Sequence, residues 1–271
     1  MCSLFFVVDF RSNPAYHVVK CIPCFNHLLT KMRKIWWLLL LAGLFGCDQN
    51  GSPKGTITIK FAHKIDAQAL TLSSGSYTNA AGNVYRVQLL EYIVSNLALK
   101  NSTGVVIPLK DYQYITASDA ATQTLVIKDV PADHYAAFNL VMGIPKAQNT
   151  TGNLPNQTNF NNMEWPAAMG GGYHYMRLEG KFQDTSGESS FAVHSGPNGG
   201  TDYSVSHSLP FHVHLTDGGA AVITLTMNVS EWLKNPNTYN FKDYPGSVMG
   251  NHAVQALLQQ NGTDVFSVAA E

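Results

Sequence analysis

Apolar and polar positions alternate through most of the chain beyond residue 55. Thr56–Phe61 puts Ile57, Ile59 and Phe61 on one face, with His63 just past its end. A period of two marks a strand with one buried face. Val84–Leu90, Ile93–Leu99, Val105–Leu109, Thr124–Val130 and Ala136–Ile144 continue the pattern, with Asn101-Ser-Thr-Gly104 as a turn between two of them. Tyr173–Phe182, the short Phe191–His194, Leu209–Leu215 and Val222–Val229 follow. Near the end Val254, Leu257 and Leu258 have helical spacing, Asn261-Gly262 is a helix stop, and Asp264–Val268 returns as a last strand. Many short strands with one small helix predict an all-β fold: an antiparallel β-sandwich with long loops and a short C-terminal helix, a single domain over 56–271.

Two stretches break the alternation. Ser73–Asn83 is rich in Ser, Gly, Asn and Ala and reads as a loop. Pro145–Asn162 is long, Asn-rich and without pattern, and loops of that length in compact domains are usually functional or disordered. It leads into Met163–Gly180, which packs Trp165, three consecutive glycines, His174 and three methionines into one segment. Gly170, Gly171 and Gly172 permit a sharp reversal. Strand alternation then puts His174 on the face of Met176, Leu178 and Phe182, near the mouth of the core. That position suits a pocket ligand and a hydrogen-bonded core histidine equally.

The N-terminal fifth reads differently. Met32-Arg33-Lys34 precedes the apolar run Ile35–Phe45, then Leu44-Phe45-Gly46-Cys47 and a polar stretch. The run is shorter than the roughly 20 apolar residues of a spanning helix and has the layout of a signal peptide. Cleavage before Cys47 resembles a bacterial lipobox, with lipid on the Cys47 thiol. The expectation is a mis-called extension over 1–31, a lipoprotein signal peptide over 32–46, a lipidated tether over 47–55, and a place in the bacterial cell envelope, held to the membrane by the lipid anchor. All four cysteines (Cys2, Cys21, Cys24 and Cys47) lie in this region, so the domain beyond it can hold neither a disulfide nor a catalytic thiol.

Composition narrows the function. With 45% hydrophobic and 13% charged residues the chain has ample core, and a formal charge of −1 offers no field for nucleic acid. There is no phosphate-binding glycine loop before Lys-Ser or Lys-Thr, no dinucleotide fingerprint and no Gly-x-Ser-x-Gly elbow. A Ser/His/Asp arrangement is a matter of geometry and stays open at this level. What the domain does hold is histidine: His63, His134, His174, His194, His207, His212, His214 and His252. Imidazole suits copper, zinc, iron and nickel, and the nearby thioethers of Met163, Met169 and Met176 favour cuprous copper. The candidate metal ligands are His63, His174 and His194, each at a strand end. The expectation is a binding protein and no enzyme; a metal-free adhesion or scaffold sandwich and a solute-binding lipoprotein are the alternatives.

Several stretches resemble the MbnP-like copper-binding family, related to copper-repressible surface proteins of methane-oxidising bacteria. They are Phe61-Ala-His63, Tyr77-Thr-Asn-Ala-Ala-Gly-Asn-Val-Tyr85, Glu91-Tyr-Ile-Val-Ser-Asn-Leu97, Met163–Gly180, Phe191-Ala-Val-His-Ser-Gly196 and the Val248–Phe266 tail. The Met-x-Trp…Gly-Tyr…Leu-Glu-Gly pattern is the most specific of them. The resemblance implies a secreted or surface β-rich protein with one copper ion held by histidines. It also implies a tryptophan oxidised to kynurenine as a further ligand, made by a di-haem partner similar to MauG and bacterial cytochrome c peroxidases. Carried onto this chain, it makes Trp165 the candidate modified residue and His194, His174 and His63 the ligands. The separation of Trp165 from His174 departs from members in which tryptophan and histidine are nearly adjacent.

Overall fold

The structure, a computed structural model, describes residues 51–271, of which Ser52–Glu271 forms one compact unit. The predicted extension, signal peptide and Cys47 lipidation lie outside the described residues. Among those described, no helix is long and apolar enough to cross a membrane.

Among the described residues twelve strands build two sheets. The first contains β1 (Lys54–Ile65), β2 (Gln68–Ala69), β6 (Thr124–Pro131), β11 (Ala220–Asn228) and β12 (Phe266–Ala270). The second contains β3 (Tyr77–Thr78), β4 (Val84–Asn101), β5 (Val106–Thr116), β7 (Asp133–Met142), β8 (Met176–Asp184), β9 (Gly187–Ser195) and β10 (Val205–Leu215). The all-β sandwich is therefore as predicted, and its pairing is antiparallel with one departure. The first long strand lies parallel to β11, from Thr56↔Ala220 to Lys64↔Asn228. Alternation cannot reveal strand direction, because it fixes only which face each residue occupies.

The core lies between the sheets. Ile57, Ile59 and Phe61 of β1 and Ile223, Leu225 and Met227 of β11 face Val87, Leu90 and Tyr92 of β4 and Phe138, Leu140 and Met142 of β7. Each such side chain contributes about 1.5–3 kcal/mol on full burial. The second sheet is organised on β4, which the sequence pattern divides into two strands. In the fold it is one strand of 18 residues. Its inward set is Tyr85, Val87, Leu90, Tyr92, Val94, Leu97 and Leu99, so the phase slips by one residue twice. Both slips are bulges, at Val87/Leu89 against β8 and at Ser95/Ala98 against β7, the second containing Asn96 with φ of 53°. Each bulge inserts one residue and returns the apolar side chains to the core face.

One edge of β4 is shared by two strands laid end to end. Val94–Asn101 pairs with β7 and Tyr85–Tyr92 with β8, while β5 occupies the opposite edge at both Tyr92 and Val94. Ile93 is the fork. Its N–H donates to the Tyr175 carbonyl at 3.0 Å and its own carbonyl accepts from Gly143 N–H at 2.8 Å. Residues 144–174 leave and re-enter the sheet at this gap. They carry a second apolar cluster in which Ile144, Leu154, Phe160, Met163, Tyr173 and Tyr175 pack with Ile93 and Tyr114. The segment read as structureless is thus tied down; it also holds one turn of helix, α1 (Thr158–Asn161). The C-terminal helix is α2 (His252–Asn261), capped by the Asn251 side chain accepting from Ala253 N and Val254 N.

Candidate metal centre

Trp165 and His174 meet because the chain folds back on itself at the fork. Glu164 and Tyr173 form an antiparallel bridge, Trp165 N–H donates to Gly172 O at 2.8 Å, and His174 N–H donates to Met163 O at 2.6 Å. The reversal runs through Gly170, Gly171 and Gly172, with φ of 105°, 69° and 92°, a run of left-handed backbone that only glycine tolerates cheaply. Asn149 Oδ1 and Thr151 Oγ1 accept from Tyr173 N–H and Gly172 N–H and hold the returning strand. The fold thus supplies the tryptophan–histidine proximity that the sequence spacing does not. The two rings lie 4.7 Å apart between centroids at 67°.

His194 comes from the other side of the same fork. A two-residue turn at Thr185-Ser186 joins β8 to β9 with Asp184 opposite Gly187, and this register sets His194 opposite Arg177. Arg177 points away from the core, between the buried Met176 and Leu178. The chain bends at Tyr175, so His174 does not continue the inward row of Met176, Leu178 and Phe182. Its ring instead stands edge-on to that of His194, centroids 5.2 Å apart at 79°.

Each imidazole has one nitrogen committed. His174 Nδ1 lies 3.1 Å from the Met163 carbonyl and donates to it as the Nδ1–H tautomer; His174 Nε2 is buried without a partner. His194 Nε2 lies 2.8 Å from Glu179 Oε1. Glu179 is bound to Arg177, which also binds Glu91, so a chain of alternating charge backs His194. Burial pushes His174 down to about 4, against a small upward pull from the Met163 carbonyl. Burial also lowers His194, opposed by Glu179. Both rings are neutral near pH 7, the state in which imidazole offers a lone pair to a metal. An imidazole held by a carboxylate or carbonyl through its other nitrogen is the usual outer support of a metal-bound histidine.

Trp165 closes the trio, 2% exposed, with its Nε1–H also lacking a partner. Its six-membered ring lies against Gly196, where an added Cβ would stand 2.4 Å from ring carbons. Gln255 of α2, fully buried, locks that segment: its Nε2 donates to the carbonyls of His194 and Val248, and its Oε1 accepts from Gly196 N–H. Glu179 and Gln255 were missed at the sequence level. The hairpin register gave a signal for Glu179; Gln255 had none, since it acts across the fold on backbone.

His63 is not brought to this place. It lies on β1 with Nε2 3.0 Å from Tyr92 Oη and lines a separate cleft of about 430 Å³ with Leu70 and Ala117. Met176 and Met163 are fully buried in the main and second apolar clusters, and Met169 is half-buried in the exposed reversal. His207 packs edge-on against Phe266 as a core histidine. Among the described residues no group of three or more His, Cys, Asp or Glu is placed to hold a metal ion. A metal ion held by the histidine pair would need a further donor of another kind.

Two neutral imidazoles beside a buried indole, at a fork in one sheet of a β-sandwich, define a candidate nitrogen-donor binding protein. The chain belongs to the MbnP family, whose sequence profile matches residues 54–250. Among solved structures it is similar to MbnP from Methylosinus trichosporium, with a TM-score of 0.51 at 12% identity, covering 80% of this chain and 99% of that one. At that identity the likeness speaks for the fold. No curated protein matches the sequence.

Proposed function

We propose that the protein binds one copper ion between His174 and His194, as an exported, lipid-anchored protein of copper acquisition or handling. The observation that carries this reading is the pairing of two orphaned buried nitrogens, His174 Nε2 and Trp165 Nε1, in rings 4.7 Å apart beside His194. Membership of the MbnP family supports copper as the ion, and two imidazoles suit it. The role is binding, with no reaction assigned.

Trp165 supplies the missing donor once oxidised. An indole N–H donates and cannot ligate, because its lone pair belongs to the ring. In kynurenine the Cγ–Cδ1 bond is cleaved with one oxygen atom added to each carbon, two peroxides being reduced to water. A water then hydrolyses the Nε1–Cδ1 bond, the Cδ1 carbon leaves as formate, and Nε1 becomes an aniline nitrogen with an available lone pair. A di-haem partner of the MauG and bacterial cytochrome c peroxidase kind is the proposed catalyst, with peroxide as oxidant. Copper bound here would be stored or passed on.

Protein purified from its native host should carry close to one copper per chain, and the Trp165 peptide should have lost one carbon and gained one oxygen. Metal-free protein that takes up no copper on titration would sink the reading. An unmodified Trp165 peptide in copper-loaded protein would remove only the kynurenine donor.

A further inference from the structure

His134 and His214 are register partners on β7 and β10, and both are exposed. Their rings stack with centroids 3.8 Å apart and planes within 10°. Counting along β7 from His134 to Gly143 at about 3.4 Å per residue puts this stack about 30 Å from the fork. It is a separate place on the molecule. Among the described residues neither ring makes a hydrogen bond; the His134 backbone N–H donates to Asp133 Oδ1 at 2.7 Å and its carbonyl accepts from Ser102 N–H at 2.9 Å.

We propose that His134 and His214 form a second metal site, a cross-strand chelate for a divalent ion of tetragonal preference such as Cu(II) or Ni(II). Two imidazole nitrogens on one ion at about 2.0–2.1 Å lie about 2.9 Å apart when they bind at a right angle, and about 3.3 Å apart at the tetrahedral angle. Either arrangement requires each ring to turn about its Cβ–Cγ bond, because the imidazole lone pair lies in the ring plane and two stacked planes do not meet at one ion. Square-planar and tetragonal nitrogen sites belong to Cu(II) and Ni(II), tetrahedral ones to zinc. The two rings rise side by side from register-paired residues, so turning them brings one nitrogen of each to a shared ion with the backbone unchanged, and two imidazoles with water are the nitrogen–oxygen donor set that suits Cu(II) or Ni(II). Asp133 is not a free third ligand, since its Oδ1 accepts from His134 N–H and its Oδ2 from Asn101 Nδ2 at 2.8 Å. His212 falls in the bulge between Pro210 and Val213, out of register with the pair. Water therefore completes the shell.

The site stands independently of the proposal at the fork, and the test separates them. Cu(II) is titrated calorimetrically into wild-type protein, His194→Ala, His194→Ala/His134→Ala and His194→Ala/His214→Ala, with electron paramagnetic resonance of each loaded sample. His194→Ala should keep one Cu(II) equivalent with a tetragonal, two-nitrogen spectrum, and both double variants should lose it. Because His134 and His214 are exposed, both double variants should share the denaturation midpoint of His194→Ala. Retention of that equivalent in either double variant, or a spectrum of tetrahedral type, overturns the site.

Discussion

His194 commits Nε2 to Glu179 and leaves Nδ1 for the centre, so the carboxylate fixes both tautomer and ring angle. Replacing Glu179 by Gln preserves shape and removes the charge. Supports of this kind are worth about 10–100-fold in metal affinity, and a loss of that size is expected for Glu179→Gln in a competition titration. Unchanged affinity would show that the carboxylate merely pairs with Arg177. His174 has no carboxylate behind it; the Met163 carbonyl takes that role within the same reversal.

The elements deliver these residues by register. The three-glycine reversal brings Trp165 back onto His174, and the two-residue β8–β9 turn sets His194 beside them. Gly196 is the point of closest tolerance. A methyl there meets the Trp165 ring at 2.4 Å, on one of the largest fully enclosed side chains, while Gln255 holds the Gly196 backbone from behind. Gly196→Ala should destabilise the protein by about 1–3 kcal/mol, measured by chemical denaturation, and shift the Trp165 environment. Wild-type stability in that variant would mean that the indole can move freely.

This is also the scale at which legibility ends. His174 and His194 were readable as candidates because glycines, turns and strand ends coincide there, and Trp165 only through the family resemblance. His63 satisfied the same description, yet it lies on the other sheet, and alternation says only that a residue ends a strand, not which end of the sandwich that is. Similarly, β4 read as two strands because its bulges break the period. The parallel β1–β11 pair left no trace in the pattern.

For the whole domain, two buried histidines and the half-buried His63 make stability depend on pH. Burial lowers His63, His174 and His207 to about 4 from the ordinary 6.5. The unfolded chain takes up protons at 6.5 and the folded one only near 4. Metal-free protein should therefore be most stable above 6.5 and lose stability progressively as pH falls through that window. Denaturation midpoints measured across it should fall with pH. A flat profile would mean that these rings are protonated in the fold. Copper bound as proposed would add its own dependence, because protons compete for the same nitrogens.

The most direct measurement is a competition titration with a chromophoric Cu(I) chelator on wild-type protein, His63→Ala, His174→Ala and His194→Ala. Wild-type protein and His63→Ala should each hold one tight equivalent, and His174→Ala and His194→Ala should lose it. Tight copper in both His174→Ala and His194→Ala, or its loss in His63→Ala alone, would place the metal elsewhere and contradict a centre at the fork.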